Sequence, residues 1–205
     1  MKINDRVYVL NSTKGAYVYL IMGKEVMLID TGFPWQRKAI LKELAGMGVQ
    51  PGDIRHILLT HHDLDHIGNA AALQELSGAQ LWASADDIPY ITGAVHRPSF
   101  KKYLPYLIPV KKPGQVAAYG ERFGEVTVIP TPGHTPGHVC LLYGNILFAG
   151  DLVKNRKGSL IPYPSGWNWD DRLLQDSVKR ISQSTYDWVC PAHGSPVEGG
   201  QFPVH

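Results

Sequence analysis

The sequence predicts a single α+β domain made of two halves, in each of which a set of β-strands is followed by a helix. Apolar β-branched and aromatic runs of strand length alternate with stretches whose apolar residues recur at helical spacing. Neither a repeat nor a linker divides the chain, and 205 residues lie within the size range of one sandwich or α/β domain. We therefore expect one domain over residues 1–205.

The first half begins with three strand-like runs that are separated by Gly15 and by Gly23-Lys24. These turn-forming residues predict an antiparallel meander. Apolar residues then recur at helical spacing between Trp35 and Met47, which predicts a helix that covers one face of the sheet. The predicted strands of this half are 6–10, 16–22, 25–30, 54–59 and 79–83, and the predicted helices are 35–47 and 69–76.

The region between the halves contains a short helix and an irregular segment. Ser84 is interpreted as the N-cap of the helix, with Asp86 and Asp87 as acids of its first turn. The segment 93–114 then combines four prolines with bulky apolar residues and basic pairs such as Lys101-Lys102. Two interpretations of this segment stay open, a substrate lid that holds an amphipathic or anionic molecule and a solvated connector.

The second half repeats the order of strands before a helix, with one more strand at the end. The predicted strands are 123–129, 139–143, 146–149 and 186–190, and the predicted helix is 169–181.

Composition limits the classes of partner and compartment. Lys and Arg number 20 against 18 for Asp and Glu, and a formal charge of +2 gives no reason to expect binding to nucleic acid or to an anionic membrane. We therefore expect a small-molecule substrate, and the oligomeric state stays open. Cys140 and Cys190 lie in apolar runs and are expected to be buried free thiols. The charged residues of Met1–Leu10 do not form a signal sequence, so the expected location is the cytoplasm.

A cluster of histidines and aspartates occupies the turn Thr60–Gly68, between a predicted strand and a predicted helix. Such side chains would repel and desolvate one another unless a cation joined them. Other histidines and aspartates follow further apolar strands, and strand ends of this kind converge on one edge of a sandwich. A pair of divalent metal ions fits this set. The candidate metal ligands are His61, Asp63, Asp65, His66, His134, Asp151 and His193.

Three motifs complete the pattern: Asp30-Thr31-Gly32 at a strand tip, the turn Gly133–His138, and Gly150-Asp151. Asp30 is interpreted either as an ordinary turn acid or as a brace for a neighbouring loop. His138 is expected to pack or to form hydrogen bonds outside the metal shell. His62 should point away from its neighbours, which predicts an exposed or an outer hydrogen-bonding role.

Together with the spacing His61-x-Asp63-x-Asp65-His66 and the late His193-Gly194, these motifs resemble the metallo-β-lactamase superfamily over nearly the whole chain. The resemblance implies a four-layer αβ/βα sandwich of two mixed β-sheets flanked by helices, with the metals at one edge of the sheets. It also implies a division of the ligands between two ions. The first ion would take His61, Asp63 and His134, the second would take Asp65, His66 and His193, and Asp151 would bridge them.

The sequence departs from that family at Asp63, where most members have histidine. A carboxylate is a harder donor than an imidazole and adds a negative charge, so Mn²⁺ or Fe²⁺ becomes an alternative to Zn²⁺, the first choice.

The expected activity is hydrolysis of an ester-like carbonyl in a lactone, thioester or related small molecule. The nucleophile would be a hydroxide that bridges the metals, because two cations lower the pKa of water towards neutrality. Asp65 and Asp151 are the expected catalytic residues, and Asp65 would hold or shuttle a proton. After His193 we expect no helical domain of the kind that grips glutathione in glyoxalase II, so a glutathione thioester is not favoured. Alternatives on the same fold are an iron-dependent redox or oxygen enzyme, a phosphodiesterase, and a metal-binding protein without turnover.

Overall fold

The computed structural model of the protein describes residues 1–96, 110–200 and 202. Residues 97–109, which include Lys101 and Lys102, lie outside the described residues. The two interpretations of the segment 93–114 therefore both stay predictions. None of the helices in the described ranges is long and apolar enough to cross a membrane.

Two six-stranded sheets form the centre of the fold. The first sheet contains, in order, β1 (Val7–Val9), β2 (Tyr19–Met22), β3 (Val26–Ile29), β4 (Ile54–Leu58), β5 (Gln80–Ala83) and β6 (Ala117–Ala118). The second contains, in order, β14 (Val197–Glu198), β13 (Trp188–Pro191), β10 (Ile146–Gly150), β9 (Val139–Tyr143), β8 (Val126–Pro130) and β7 (Arg122–Phe123). The first sheet is antiparallel from β1 to β3 and parallel from β3 to β6, and the second is antiparallel except for the parallel pair β10 and β13.

A separate hairpin, five α-helices and three 3₁₀ turns (Asn11–Thr13, Pro34–Gln36 and Pro51–Asp53) complete the described structure. The hairpin consists of β11 (Val153–Arg156) and β12 (Ser159–Pro162). The helices are α1 (Arg37–Gly46), α2 (Leu64–Ile67), α3 (Ala70–Ser77), α4 (Ile88–Thr92) and α5 (Asp171–Ile181).

Alternation along the strands produces four layers, because successive side chains point to opposite faces of a sheet. Tyr19 and Ile21 of β2 pack between the two sheets, whereas Leu20 packs with the cluster that contains α1 and α3. In the second sheet Phe148 faces the first sheet, and Leu147 packs with α5 on the other side. The order helix, sheet, sheet, helix confirms the predicted four-layer sandwich.

Most predicted elements are present with shifted boundaries. The strand predicted over 123–129 is divided by a turn into β7 and β8, and the N-cap residue of α4 is Asp87 rather than Ser84. The helix expected from Trp35 begins as a 3₁₀ turn over Pro34–Gln36, and α1 follows. The helix expected from 169 begins at Asp171, because the Asp170 side chain accepts hydrogen bonds from the backbone N–H groups of Arg172 and Leu173 and caps it. Cys140 and Cys190 are buried and free, as predicted.

Candidate metal centre

The candidate ligands follow the ends of four strands and meet at one edge of the sandwich. His61 lies just beyond β4, His134 beyond β8, Asp151 beyond β10 and His193 beyond β13. The short helix α2 supplies Asp65 and His66. The structure thus brings together all seven predicted side chains, in overlapping groups that could each hold an ion.

The first group contains His61, Asp63 and His134, all of which are buried. The Oδ2 atom of Asp63 lies 3.1 Å from Nε2 of His134 and 3.9 Å from Nε2 of His61. Two imidazole nitrogens and a carboxylate oxygen therefore face one point.

The second group contains Asp65, His66 and His193 and lies nearer to the surface. Oδ2 of Asp65 is 3.3 Å from Nε2 of His193 and 3.8 Å from Nε2 of His66. The side chains of Asp65 and His193 are 20% and 23% exposed, whereas that of His66 is 1% exposed. This group is consequently open to solvent on one side.

Asp151 lies between the two groups and presents one oxygen to each. Its Oδ2 is 3.5 Å from Nε2 of His134 and 3.9 Å from Nε2 of His61. Its Oδ1 is 3.3 Å from Nε2 of His193 and 3.5 Å from Nε2 of His66. A carboxylate that bridges two ions needs this arrangement.

The donor set fits metal ions, because several of its atoms are buried without a hydrogen bond. These atoms are the Nε2 atoms of His61, His66 and His193 and Oδ1 of Asp151. A buried polar atom without a partner costs about 1–3 kcal/mol, so four of them around one point call for a cation.

Protonation is consistent with that interpretation. Burial acts to raise the pKa of Asp151, but His66 and His193 outweigh it and hold the pKa well below its usual range. Burial lowers the pKa of His61, which favours the neutral imidazole that binds metals. Burial also acts to lower the pKa of His66, but Asp30 and Asp151 outweigh it and raise the pKa, so a cation that binds there displaces a proton.

Asp30 braces the cluster, which decides between the two interpretations of that residue. Its Oδ2 lies 2.8 Å from Nδ1 of His66, and its Oδ1 accepts a hydrogen bond of 2.8 Å from the backbone N–H of Thr60. The Thr60 hydroxyl also donates to Asp30 and lies 3.0 Å from Nδ1 of His61. These contacts occupy the Nδ1 atoms and leave Nε2 of His61 and of His66 facing the positions that a metal could take.

His134 is held by a segment that the sequence reasoning missed. Oδ1 of Asn168 is 3.0 Å from Nδ1 of His134, and the Asn168 amide donates to Asp171 at 2.6 Å. The ring of Tyr163 lies 4.5 Å from that of His134 and 5.6 Å from that of His193. The only local signal for this role is a turn-rich stretch directly before a predicted helix.

His138 performs the outer hydrogen-bonding role that the sequence predicted. Its Nε2 accepts a hydrogen bond of 3.1 Å from the backbone N–H of Asp151, and its Nδ1 is 2.8 Å from the Thr131 hydroxyl. Burial lowers the pKa of His138 to about 3, so the ring stays neutral. Gly150 has a φ of +49°, and a Cβ atom there would lie 2.7 Å from Nε2 of His138. Glycine therefore permits this close approach.

His62 is buried, so the expectation of an exposed side chain was wrong. Its ring stacks on Tyr90 with centroids 4.5 Å apart, and its Nδ1 lies 2.9 Å from Oδ2 of Asp87. His62 belongs to neither metal group. This agrees with the alternative expectation, a hydrogen-bonding role outside the set of metal ligands.

Comparison with known proteins gives consistent results. Residues 13–193 match the family model described as "Metallo-beta-lactamase superfamily". Metallo-beta-lactamase domain-containing protein 1 of Xenopus laevis is 31% identical over 188 residues, which cover 87% of this chain and 70% of that protein. The probable metallo-hydrolase YflN of Bacillus subtilis is 26% identical over 212 residues, which cover 86% and 78%. The solved structure of TTHA1623, in a di-iron-bound form, has a TM-score of 0.72 and 28% identity and covers 89% of each chain.

Proposed function

Because the chain belongs to the metallo-beta-lactamase superfamily and is a metal-dependent hydrolase, we propose that it uses two metal ions to cleave an ester-like carbonyl, as in a lactone or a thioester. The observation that carries the proposal is the placement of Asp151. Each of its oxygens faces a different pair of histidines, within 3.3 to 3.9 Å of their Nε2 atoms. Because the two oxygens face different histidine pairs, the carboxylate is placed to be shared between two ions.

In this proposal the residues of the first group would hold one ion, those of the second group would hold the other, and Asp151 would bind both. The ions, when bound, lower the pKa of water and polarise a carbonyl oxygen. Zn²⁺ is the first choice of metal because imidazoles predominate among the donors, and the carboxylates also suit Mn²⁺ or Fe²⁺.

The chain's own groups orient the substrate and move protons. Tyr163 packs beside both groups and faces Asp151. Burial raises the pKa of Tyr163 far above its usual range, and Asp151 and Asp65 add to the effect, so the hydroxyl remains a donor for a substrate oxygen. Asp65 stands at the open side of the centre, where it can pass a proton to the leaving group. The buried first group excludes water from the other side.

Metal analysis combined with a substrate panel tests the proposal. We expect about two equivalents of metal per chain, loss of turnover on chelation, and recovery on adding Zn²⁺, Mn²⁺ or Fe²⁺. The panel contains lactones, thioesters, simple esters, β-lactams and phosphodiesters. Asp63→Ala should lower metal content and turnover, and Asp176→Ala, an exposed acid on α5, should change neither. Metal-loaded protein that is inert to every ester-like compound would contradict the proposal, and cleavage of phosphodiesters alone would replace it with the phosphodiesterase alternative.

An iron-dependent oxygen or redox enzyme is the second candidate, and two observations favour it. Asp63 places a hard oxygen donor in the first group, and TTHA1623 was solved in a di-iron-bound form. The discriminating measurement is oxygen consumption by iron-loaded protein in the presence of a thiol or another reductant. Hydrolysis that proceeds equally without oxygen favours the first candidate.

A further inference from the structure

A completely buried carboxylate, that of Asp87, lies between two segments that carry metal ligands. Its Oδ2 accepts hydrogen bonds of 3.0 Å from the backbone N–H of His62 and 2.8 Å from the hydroxyl of Thr135. Its Oδ1 accepts one of 2.8 Å from the backbone N–H of Gly137. One side chain therefore binds two loops that are about 70 residues apart in the sequence.

These partners are the sequence neighbours of the first metal group. His62 lies between His61 and Asp63, and Thr135 directly follows His134. Asp87 itself precedes α4 and is not a member of either metal group. It therefore connects the two parts of the chain from which the first group is assembled.

The approach of the second loop is close enough to require glycine. A Cβ atom at Gly137 would lie 2.7 Å from the backbone nitrogen of Asp87 and 2.8 Å from both its Oδ1 and the Ser84 hydroxyl oxygen. The turn that follows His134 thus packs directly against the residues before α4, and a longer side chain would separate them.

The helix does not account for the position of the carboxylate. Asp87 is the N-cap residue of α4, but its side chain makes no capping hydrogen bond. The carboxylate instead contacts the loops that carry the metal ligands. Burial acts to raise the pKa of Asp87, but His62, Thr135 and Gly137 outweigh it and lower the pKa, so the group is ionised.

We propose that Asp87 is a positioning residue that fixes the His61–Asp63 turn relative to His134 and thereby sets the metal affinity of the first group. Asp30, and not Asp87, contacts His66 of the second group. Loss of the Asp87 carboxylate should therefore weaken one of the two ions selectively. This inference rests on one part of the proposed function, namely that the first group binds a metal ion. It does not depend on which substrate the protein cleaves.

The test compares Asp87→Asn with Asp86→Asn, a matched change at the exposed neighbouring acid. Chelator-treated protein is titrated with Zn²⁺ against a competing chromophoric chelator, and His134→Ala and His193→Ala assign the two binding steps. Asp87→Asn should weaken the first-group ion by about 10–100-fold, the range for partners that orient metal ligands, and the second-group ion by less than about twofold. Asp86→Asn should behave as the unaltered protein.

A purely structural role would lower the free energy of unfolding of the metal-free protein but would leave both affinities unchanged, and that result would overturn the inference. Equal weakening of both ions would also overturn it. If Asp87→Asn does not fold without metal, Thr135→Val removes one of the hydrogen bonds and should weaken the first-group ion alone, by about tenfold. Thr135→Ser should restore it, and unchanged affinity in Thr135→Val would contradict the inference. Because no substrate is used, absence of hydrolysis would count against the proposed function and not against this role.

Discussion

The two metal groups differ in burial and in how firmly their ligands are held. In the first group the side chains of His61 and His134 are inaccessible to solvent. Thr60 contacts Nδ1 of His61, and Asn168 contacts Nδ1 of His134. In the second group only His66 has comparable support, whereas Asp65 and His193 border the solvent. If each group binds an ion as proposed, we expect the first-group ion to be held rigidly and to exchange slowly, and the second-group ion to be more adaptable and open to substrate.

Among the predicted ligands, Asp151 is the one whose carboxylate faces both the first and the second metal group. Its removal should therefore have the largest effect on metal binding and turnover. We expect Asp151→Ala to reduce metal content below one equivalent and turnover by at least about 100-fold, the upper range for losing even an outer partner. Elemental analysis and initial rates measure both. Retention of two ions in Asp151→Ala would show that the two groups bind metal without a shared carboxylate, which would contradict this prediction.

The two ions should leave at different rates because one group is enclosed and the other is open. On dialysis against a weak chelator we expect the metal content to fall in two phases, with the second-group ion released first. His193→Ala should lack the fast phase, and His134→Ala should lack the slow one. A single phase in all three proteins would mean that burial does not distinguish the groups.

Protons should compete with metal mainly in the second group. Burial acts to lower the pKa of His193, but Asp151 and Asp65 outweigh it and raise the pKa to about 9. Its imidazole is therefore protonated below that pH until a cation displaces the proton, and affinity should rise by at least about tenfold per pH unit between pH 7 and about pH 9, because the raised pKa of His66 adds a second competing proton. Burial lowers the pKa of His61, so the first group should vary less over that range. Zn²⁺ titrations at several pH values measure both slopes.

The meeting of the candidate ligands was predictable because His61, His134, Asp151 and His193 each follow an apolar strand and the other three lie within five residues of His61. These are local signals that need no knowledge of the fold. Of the residues that hold them, Asp30 and His138 were foreseen from their motifs, but Asp87, Tyr163 and Asn168 were not, because their roles depend on distant parts of the chain. Asp87 has the local pattern of a helix-first acid, and only the fold shows its carboxylate between two loops.

Tyr163 and Asn168 follow the hairpin of β11 and β12, which sequence reasoning missed. Its strands contain polar residues, and Lys157 at its turn adopts a φ of +54°, a conformation that a lysine does not signal. Without the hairpin, the segment that supports His134 has no defined position relative to the metal centre.

Two asparagines allow the smallest test of the comparison. Asn168 contacts the ring of His134, whereas Asn155 binds the second side only through backbone groups, with its N–H on the His193 carbonyl and its amide on the Ser195 carbonyl. We expect Asn168→Ala to weaken the first-group ion by about tenfold, because the imidazole loses the partner that fixes its orientation. Asn155→Ala should weaken the second-group ion by less than about threefold, since the backbone contact to His193 remains. Competitive Zn²⁺ titration of both variants gives the two ratios, and a larger effect for Asn155→Ala would reverse the assignment of the better-supported group.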